Sequence, residues 1–328
     1  MAYEILGHKE NLAALQHLCE TQQMPHALLF EGLEGIGKKR IARNLAQTLL
    51  CTGEKPPCGL CPACRAFMQK ANPDYCEIFP EGKVQKAIRI ERIRELRQML
   101  GETKAISRQR VVLIDGAEKM NDAAANALLK TLEEPLTEAT FFLLTPSRAT
   151  LLPTIISRTM PVHFAPLTTA EVEQVLAREN VDEDILPLLA ARADGSPGKA
   201  LAFGQGKGRE TAELALLFLL SLPSLDMGKV WNLSAEMSTW EVEQIDEWLR
   251  SLSLLARDLL LSTEASESAS YFPEWSGRLA PLTSSLSSAQ MVAISHIALE
   301  ALHRREQNAN VQMLIEWLGI RLLEICKG

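Results

Sequence analysis

The feature that most constrains this chain is a glycine-rich run between an apolar tetrad and a helical stretch. Ala27-Leu28-Leu29-Phe30 is followed by Gly32-Leu33-Glu34-Gly35-Ile36-Gly37-Lys38-Lys39. Strand, loop and helix in that order fit the pattern G-x-x-x-x-G-K. Its glycines let backbone N–H groups cradle phosphate oxygens, its lysine reaches the β- and γ-phosphates, and a helix N-terminus lies behind. Gly32, Gly35, Gly37 and Lys38 are therefore the candidate residues for holding ATP or ADP. The position after the lysine should carry a hydroxyl for Mg²⁺. Lys39 has none, and its charge repels a metal, so the site is read as degenerate.

Two further unbroken apolar runs, Val111-Val112-Leu113-Ile114 and Phe141-Phe142-Leu143-Leu144, have strand length. Such runs suit parallel strands buried on both faces. Between them lies a segment from Asn121 to Glu134 with Ala125, Leu128, Leu129 and Leu132 at helical spacing. Asn121 or Asp122 can cap it and Pro135 ends it. Asp115 ends the Val111 strand, where a carboxylate normally supports the metal shell; it joins the candidate nucleotide residues. The next residue, which polarises water in ATPases of this class, is Gly116, and Glu118 is expected to point elsewhere. After Pro161-Val162-His163-Phe164 the strand signals stop. Thr168 and Glu171 have the spacing of a capping box, and the rest reads helical, with Leu214, Leu217 and Phe218 at helical spacing and a serine-rich loop from Ser262 to Ser270.

The expected fold is an α/β P-loop domain with a parallel sheet over residues 1–166. A small helical lid follows over 167–207 and an all-α domain over 208–328, as 328 residues exceed what a single core usually supports. A net charge of −7 argues against broad non-specific nucleic-acid binding. No apolar run has membrane length and the start lacks a secretory pattern, so a cytoplasmic location and no membrane partner are expected.

Seven cysteines include four crowded together as Cys51, Cys58, Cys61 and Cys64. Four soft donors at this spacing can close a tetrahedral site, which suits a structural Zn²⁺ in an insertion at 51–64. Redox disulfides and free buried thiols are the alternatives. A zinc-bearing nucleic-acid module would need basic and aromatic residues interleaved near the cysteines, and only Arg65, Phe67 and Lys70 qualify.

The loop, the Asp115 strand and the cysteine insertion occur with Ala123-Ala-Ala-Asn-Ala-Leu-Leu-Lys-Thr-Leu-Glu-Glu-Pro135, which closely resembles a segment of the bacterial clamp-loader subunits of the AAA+ class. Leu152-Pro-Thr-Ile-Ile-Ser-Arg158, Gly7-His-Lys-Glu-Asn-Leu12 and Pro25-His-Ala-Leu-Leu-Phe30 are similar to segments of that family. Asn308 to Glu316 is similar to its last collar helix. The match covers residues 1 to about 205 well and is weaker beyond. The resemblance implies that these three parts are a RecA-like AAA+ domain, a helical lid and a helical collar, in a subunit of a DNA polymerase III holoenzyme, a DNA-directed DNA polymerase. It would assemble through its collar with gamma/tau and delta subunits in a hetero-pentamer that loads the sliding clamp onto primed DNA. Two kinds of subunit compete, an ATP-hydrolysing motor of the gamma/tau type and a relative without turnover. Lys39, Gly116 and Gly198 each depart from the motor pattern, Gly198 where the lid should present an arginine, and together they favour the second. Ser157-Arg158 resembles the family's Ser-Arg-Cys motif, with Thr159 departing at the third place. It implies that Arg158 is an arginine finger reaching a neighbour's ATP, an arginine pinning its own loop being the alternative. Thr145 matches the region of the family's first sensor, beside a departing Pro146.

Overall fold

The computed structural model describes residues 5–82, 86–134, 138–182, 186–205, 208–262, 270–307 and 309–327. It divides into two compact units, Met1–Asn180 with Ala193–Lys199, and Val181–Arg192 with Ala200–Gly328.

In the first unit α1 (Lys9–Glu20) leads to β1 (Ala27–Glu31), α2 (Lys38–Leu50), α3 (Pro62–Met68) and β2 (Tyr75–Ile78). Then follow α4 (Ile90–Gly101), β3 (Arg110–Asp115), α5 (Asp122–Glu133), β4 (Ala139–Thr145), α6 (Pro153–Ile156), β5 (Met160–His163) and α7 (Thr169–Arg178). The strands form one parallel sheet in the order β2-β3-β4-β1-β5. Their apolar runs are buried on both faces. Leu28, Phe30, Val111, Leu113, Phe142 and Leu144 pack with Leu15 of α1 and Ile41, Leu45 and Ala46 of α2. Ala27, Leu29, Val112, Ile114, Phe141 and Leu143 point the other way, onto Ile93 and Leu96 of α4 and Leu128 and Leu132 of α5. This period of two with helices on each side is why the runs lack polar alternation. Each fully buried Leu or Phe contributes about 1.5–3 kcal/mol relative to exposure.

The local signals are realised in detail. Asn121 caps α5, its side chain accepting from Ala124 N at 2.8 Å. Thr168 and Glu171 form the capping box of α7. Pro135 lies outside the described residues. β2 has no counterpart among the apolar runs, because Tyr75-Cys76-Glu77-Ile78 is an edge strand pairing only with β3, and just Ile78 is buried.

The second unit is helical: α8 (Leu186–Arg192), most of α9 (Pro197–Gln205), α10 (Gly208–Leu220), α11 (Met227–Met237), α12 (Val242–Leu261), α13 (Ser276–Ser285), α14 (Ser288–Glu306) and α15 (Val311–Lys327). On α12, Ile245, Trp248, Leu249, Leu252, Leu255, Ala256 and Leu259 form one apolar stripe at helical spacing, buried chiefly among α10 and α14. Phe218 joins this core. Leu214 and Leu217 do not: they are 42% and 49% exposed, and α10 buries Ala212, Ala215, Leu216 and Leu219 instead. Residues 263–269 of the serine-rich stretch lie outside the described residues. Among the described residues no helix is long and apolar enough to cross a membrane.

Candidate functional site

The carboxyl ends of β1 and β4 finish together, Glu31 beside Thr145, and Asp115 of β3 lies beside Leu144. The glycine-rich loop leaves the sheet at this edge and turns into α2 with Gly37 as N-cap. Gly32, Gly35 and Gly37 all have positive φ, which the tight phosphate-loop path requires.

The loop's own backbone is tied down by the chain around it. Lys38, 8% exposed, donates through Nζ to Gly32 O at 2.5 Å and Leu33 O at 2.8 Å. Ser196 Oγ donates to Glu34 O at 2.6 Å, Gly198 N to Gly35 O at 2.9 Å, and His8 Nε2 lies 3.0 Å from Ile36 O. Five consecutive loop carbonyls are thus engaged. Burial pulls the Lys38 ammonium below its ordinary pKa, opposed by the charges of Asp115, Glu34 and Glu118.

Lys39 does more than lack a hydroxyl. Its ammonium lies 3.1 Å from Asp115 Oδ2 and 2.8 Å from Glu77 Oε1. Burial works to lower its pKa, but the two carboxylates outweigh burial and raise it. Glu77 also takes a bidentate pair from Arg43, at 3.0 and 2.8 Å, and a bond from Tyr75 Oη at 2.9 Å. The carboxylate that would support a metal shell is thus bonded to a fixed internal cation. Glu77 escaped sequence reading because it sits on the edge strand that carries no apolar run. The one signal that could have found it is a lysine where the motif wants a hydroxyl, since a half-buried cation is commonly paired with acidic partners.

The two glycine departures have steric reasons. Gly116 has φ +74°, and a Cβ there would meet Pro80 Cγ at 3.0 Å. A Cβ on Gly198 would lie 2.7 Å from Gly35 Cα and 2.9 Å from Gly35 O. The segment from Ser196 to Lys199 rests directly on the phosphate loop, backbone on backbone, and leaves no room for an arginine. Thr145 is buried and its hydroxyl is used within its own turn, donating to Ser147 O at 2.9 Å.

Arg158 is placed by the turn after α6. Its Nη2 lies 2.5 Å from Glu133 Oε1, and Nη1 donates to Thr154 O at 3.0 Å and Ser157 Oγ at 3.3 Å. An ion pair to its own chain is therefore present.

Cys51 ends α2 and Cys61 caps α3, which brings the four clustered cysteines together. Their Sγ atoms all lie within 4.8 Å of one another. Backbone N–H groups point at the sulfurs: Gly53 and Cys58 to Cys51 Sγ at 3.3 and 3.4 Å, Cys61 to Cys58 Sγ at 3.3 Å, and Cys64 to Cys61 Sγ at 3.4 Å. Such donors favour thiolates. For Cys61, burial pushes the pKa up, but bonds from Thr52 and Cys64 outweigh it and bring it to about 5, while burial pushes Cys64 to about 12. The donor set and spacing can hold a metal ion such as zinc, and no disulfide joins the described cysteines.

Known proteins resemble this chain in sequence. A family profile described as "DNA polymerase III, delta subunit" matches residues 7–168. DNA polymerase III subunit delta' of Escherichia coli K12 is 36% identical over 234 residues, 69% of this chain and 68% of the relative. Subunit delta' of Bacillus subtilis 168 is 30% identical over 319 residues, 94% of each chain. Subunit tau of Salmonella typhimurium LT2 is 34% identical over 229 residues, 65% of this chain but 35% of the relative. A delta' relative matched along nearly its whole length, together with a parallel sheet whose glycine-rich loop opens α2, leads to one assignment: this chain belongs to the delta-prime family of DNA polymerase III clamp-loader subunits.

Proposed function

We propose that this subunit does not hydrolyse ATP, and that it serves a clamp-loader complex by lending Arg158 to a neighbouring ATPase subunit. The observation that carries the first half is Lys39 on Asp115 and Glu77. Hydrolysis needs a divalent cation beside the β- and γ-phosphates to neutralise developing charge. Admitting one here means displacing an ammonium held by two carboxylates and then keeping two cations in one place. Gly116 supplies no carboxylate for the attacking water, and Gly198 supplies no guanidinium. ATP or ADP could reach only a degenerate site of Gly32, Gly35, Gly37 and Lys38.

The second half rests on Arg158 being half-exposed at a turn, with a guanidinium whose fork matches phosphate oxygens. Its bond to Glu133 is an exposed pair, and such pairs contribute about 0–1 kcal/mol. That is small beside the orders of magnitude in rate that a finger supplies. The partners are gamma/tau and delta subunits in a hetero-pentamer in the cytoplasm, acting on the sliding clamp and primed DNA. The chain works as three domains, 1–166, 167–207 and 208–328, the last a collar for assembly. The four cysteines hold one structural Zn²⁺, which closes the knuckle between α2 and α3 and takes no part in chemistry.

The test is the ATPase rate of the assembled complex carrying Arg158→Ala in this subunit. A partial fall is expected, because a single motor site would face this subunit, with assembly intact. An unchanged rate with a lowered melting temperature of the isolated chain would leave only the ion-pair role.

A further inference from the structure

Glu133 is the last residue of α5, at the helix end where the backbone dipole disfavours a carboxylate. A carboxylate at that end needs a cationic partner, and the partner is Arg158. The three acceptors that grip this guanidinium come from two separately anchored elements, the end of α5 and the α6 turn. α5 is fixed by Leu128 and Leu132 packed under the sheet, and α6 by Ile155, 1% exposed. Glu133 takes Nη2, the Thr154 carbonyl and Ser157 Oγ take Nη1, and Nε–H has no partner among the described residues. Immediately after Arg158 the chain turns inward, with Thr159 buried and its hydroxyl donating to Ile156 O at 3.0 Å. Arg158 is thus a long side chain on a rigid base, held at two points with part of its fork left over.

We infer that Glu133 is a positioning residue for Arg158: it holds the guanidinium in one conformation in the free chain, so that less ordering remains when the side chain meets a neighbour's triphosphate. This rests on reading Arg158 as a finger. An exposed ion pair adds little to folding, so a bracing role explains poorly why the acid stands at an unfavourable helix end. Ordering a flexible arginine is costly, and misplacement by about 1 Å can lose orders of magnitude in rate. A carboxylate suits the task because it is weaker competition than a triphosphate, which carries several charges and can share or displace it.

The experiment uses the assembled complex with Glu133→Ala, Glu133→Gln, Arg158→Ala and the Glu133→Ala/Arg158→Ala double variant. Three quantities are read: kcat for ATP, KM for ATP, and the melting temperature of each isolated chain. Glu133→Ala should lower kcat by a part of the fall that Arg158→Ala causes, with KM and melting temperature unchanged. Glu133→Gln, which keeps an acceptor without the charge, should fall in between. The double variant should match Arg158→Ala alone, since positioning has no value without the group positioned. If Arg158→Ala lowers kcat while Glu133→Ala leaves it unchanged or raises it, the positioning role is wrong and the finger survives. If Arg158→Ala itself leaves kcat unchanged, the finger reading falls and this inference with it. A lower melting temperature with normal kcat in Glu133→Ala marks a structural brace and also overturns it.

Discussion

The phosphate loop and the cysteine knuckle are both ligand motifs, yet they stand in opposite conditions. At the knuckle four sulfurs converge within 4.8 Å, with backbone N–H groups pointing at them. At the loop the path of the backbone is kept, but the side-chain chemistry is satisfied internally: Lys39 sits on Asp115 and Glu77, and the Ser196–Lys199 segment sits on Gly35. A motif fixes backbone shape. Whether it takes a ligand depends on whether its donors and charges still lack partners once the chain has folded.

The largest effect should come from the knuckle. The chain should purify with about one zinc per molecule, and Cys64→Ala, which removes a buried ligand, should drop that to a small fraction. Structural zinc contributes on the order of 10 kcal/mol in small zinc-dependent peptides, so a marked fall in melting temperature should accompany the loss. Elemental analysis finding no zinc in protein kept from chelators would erase the contrast.

Next is the loop's cover. Gly198→Arg restores the residue type that the motor pattern has, but its Cβ must enter space held by the Gly35 backbone. It should destabilise the chain by about 2–3 kcal/mol, as overpacking does, and confer no turnover. Denaturant unfolding measures this; a stable variant would mean the segment lifts easily from the loop.

A smaller effect, about 1 kcal/mol, is expected from Glu77→Gln and should depend on pH. Burial pushes the Glu77 carboxyl up, but Arg43 and Lys39 pull it below its ordinary 4.5. A depressed carboxyl stabilises above its unfolded pKa, and that contribution is lost as pH falls through the folded value. Lys39 is raised above 10.5, so its share is present below that pH and lost as pH climbs past the folded value. The cluster is therefore intact between about pH 5 and pH 10. Glu77→Gln should flatten the acid limb of the stability curve, and an unchanged limb would show that the pairs form in solution only weakly.

Much of this was legible in the sequence, and the failures have two causes. Ala27–Phe30, Val111–Ile114 and Phe141–Leu144 announced central strands because burial on both faces leaves a continuous apolar run. Asn121, Thr168 and Glu171 announced helix starts because capping is local. The cysteine cluster was readable for the same reason, its ligands lying close in sequence. Glu77, Ser196 and the tight seat of Gly198 were not, since each acts on the loop from far along the chain. On α10, spacing alone suggested a face through Leu214, Leu217 and Phe218, but a helix rich in apolar residues all round does not declare which face the core takes.

On the proposed reading the Lys39 ammonium, held by Asp115 and Glu77, takes the place of a metal at the phosphate loop. Titration calorimetry with Mg²⁺-ATP, with phosphate release measured on the same sample, tests it most directly. No turnover above background and no gain in nucleotide affinity on adding Mg²⁺ are expected, for the native chain and for Lys38→Ala alike. Magnesium-dependent binding with steady phosphate release that disappears in Lys38→Ala would contradict that reading and mark the chain as a working motor.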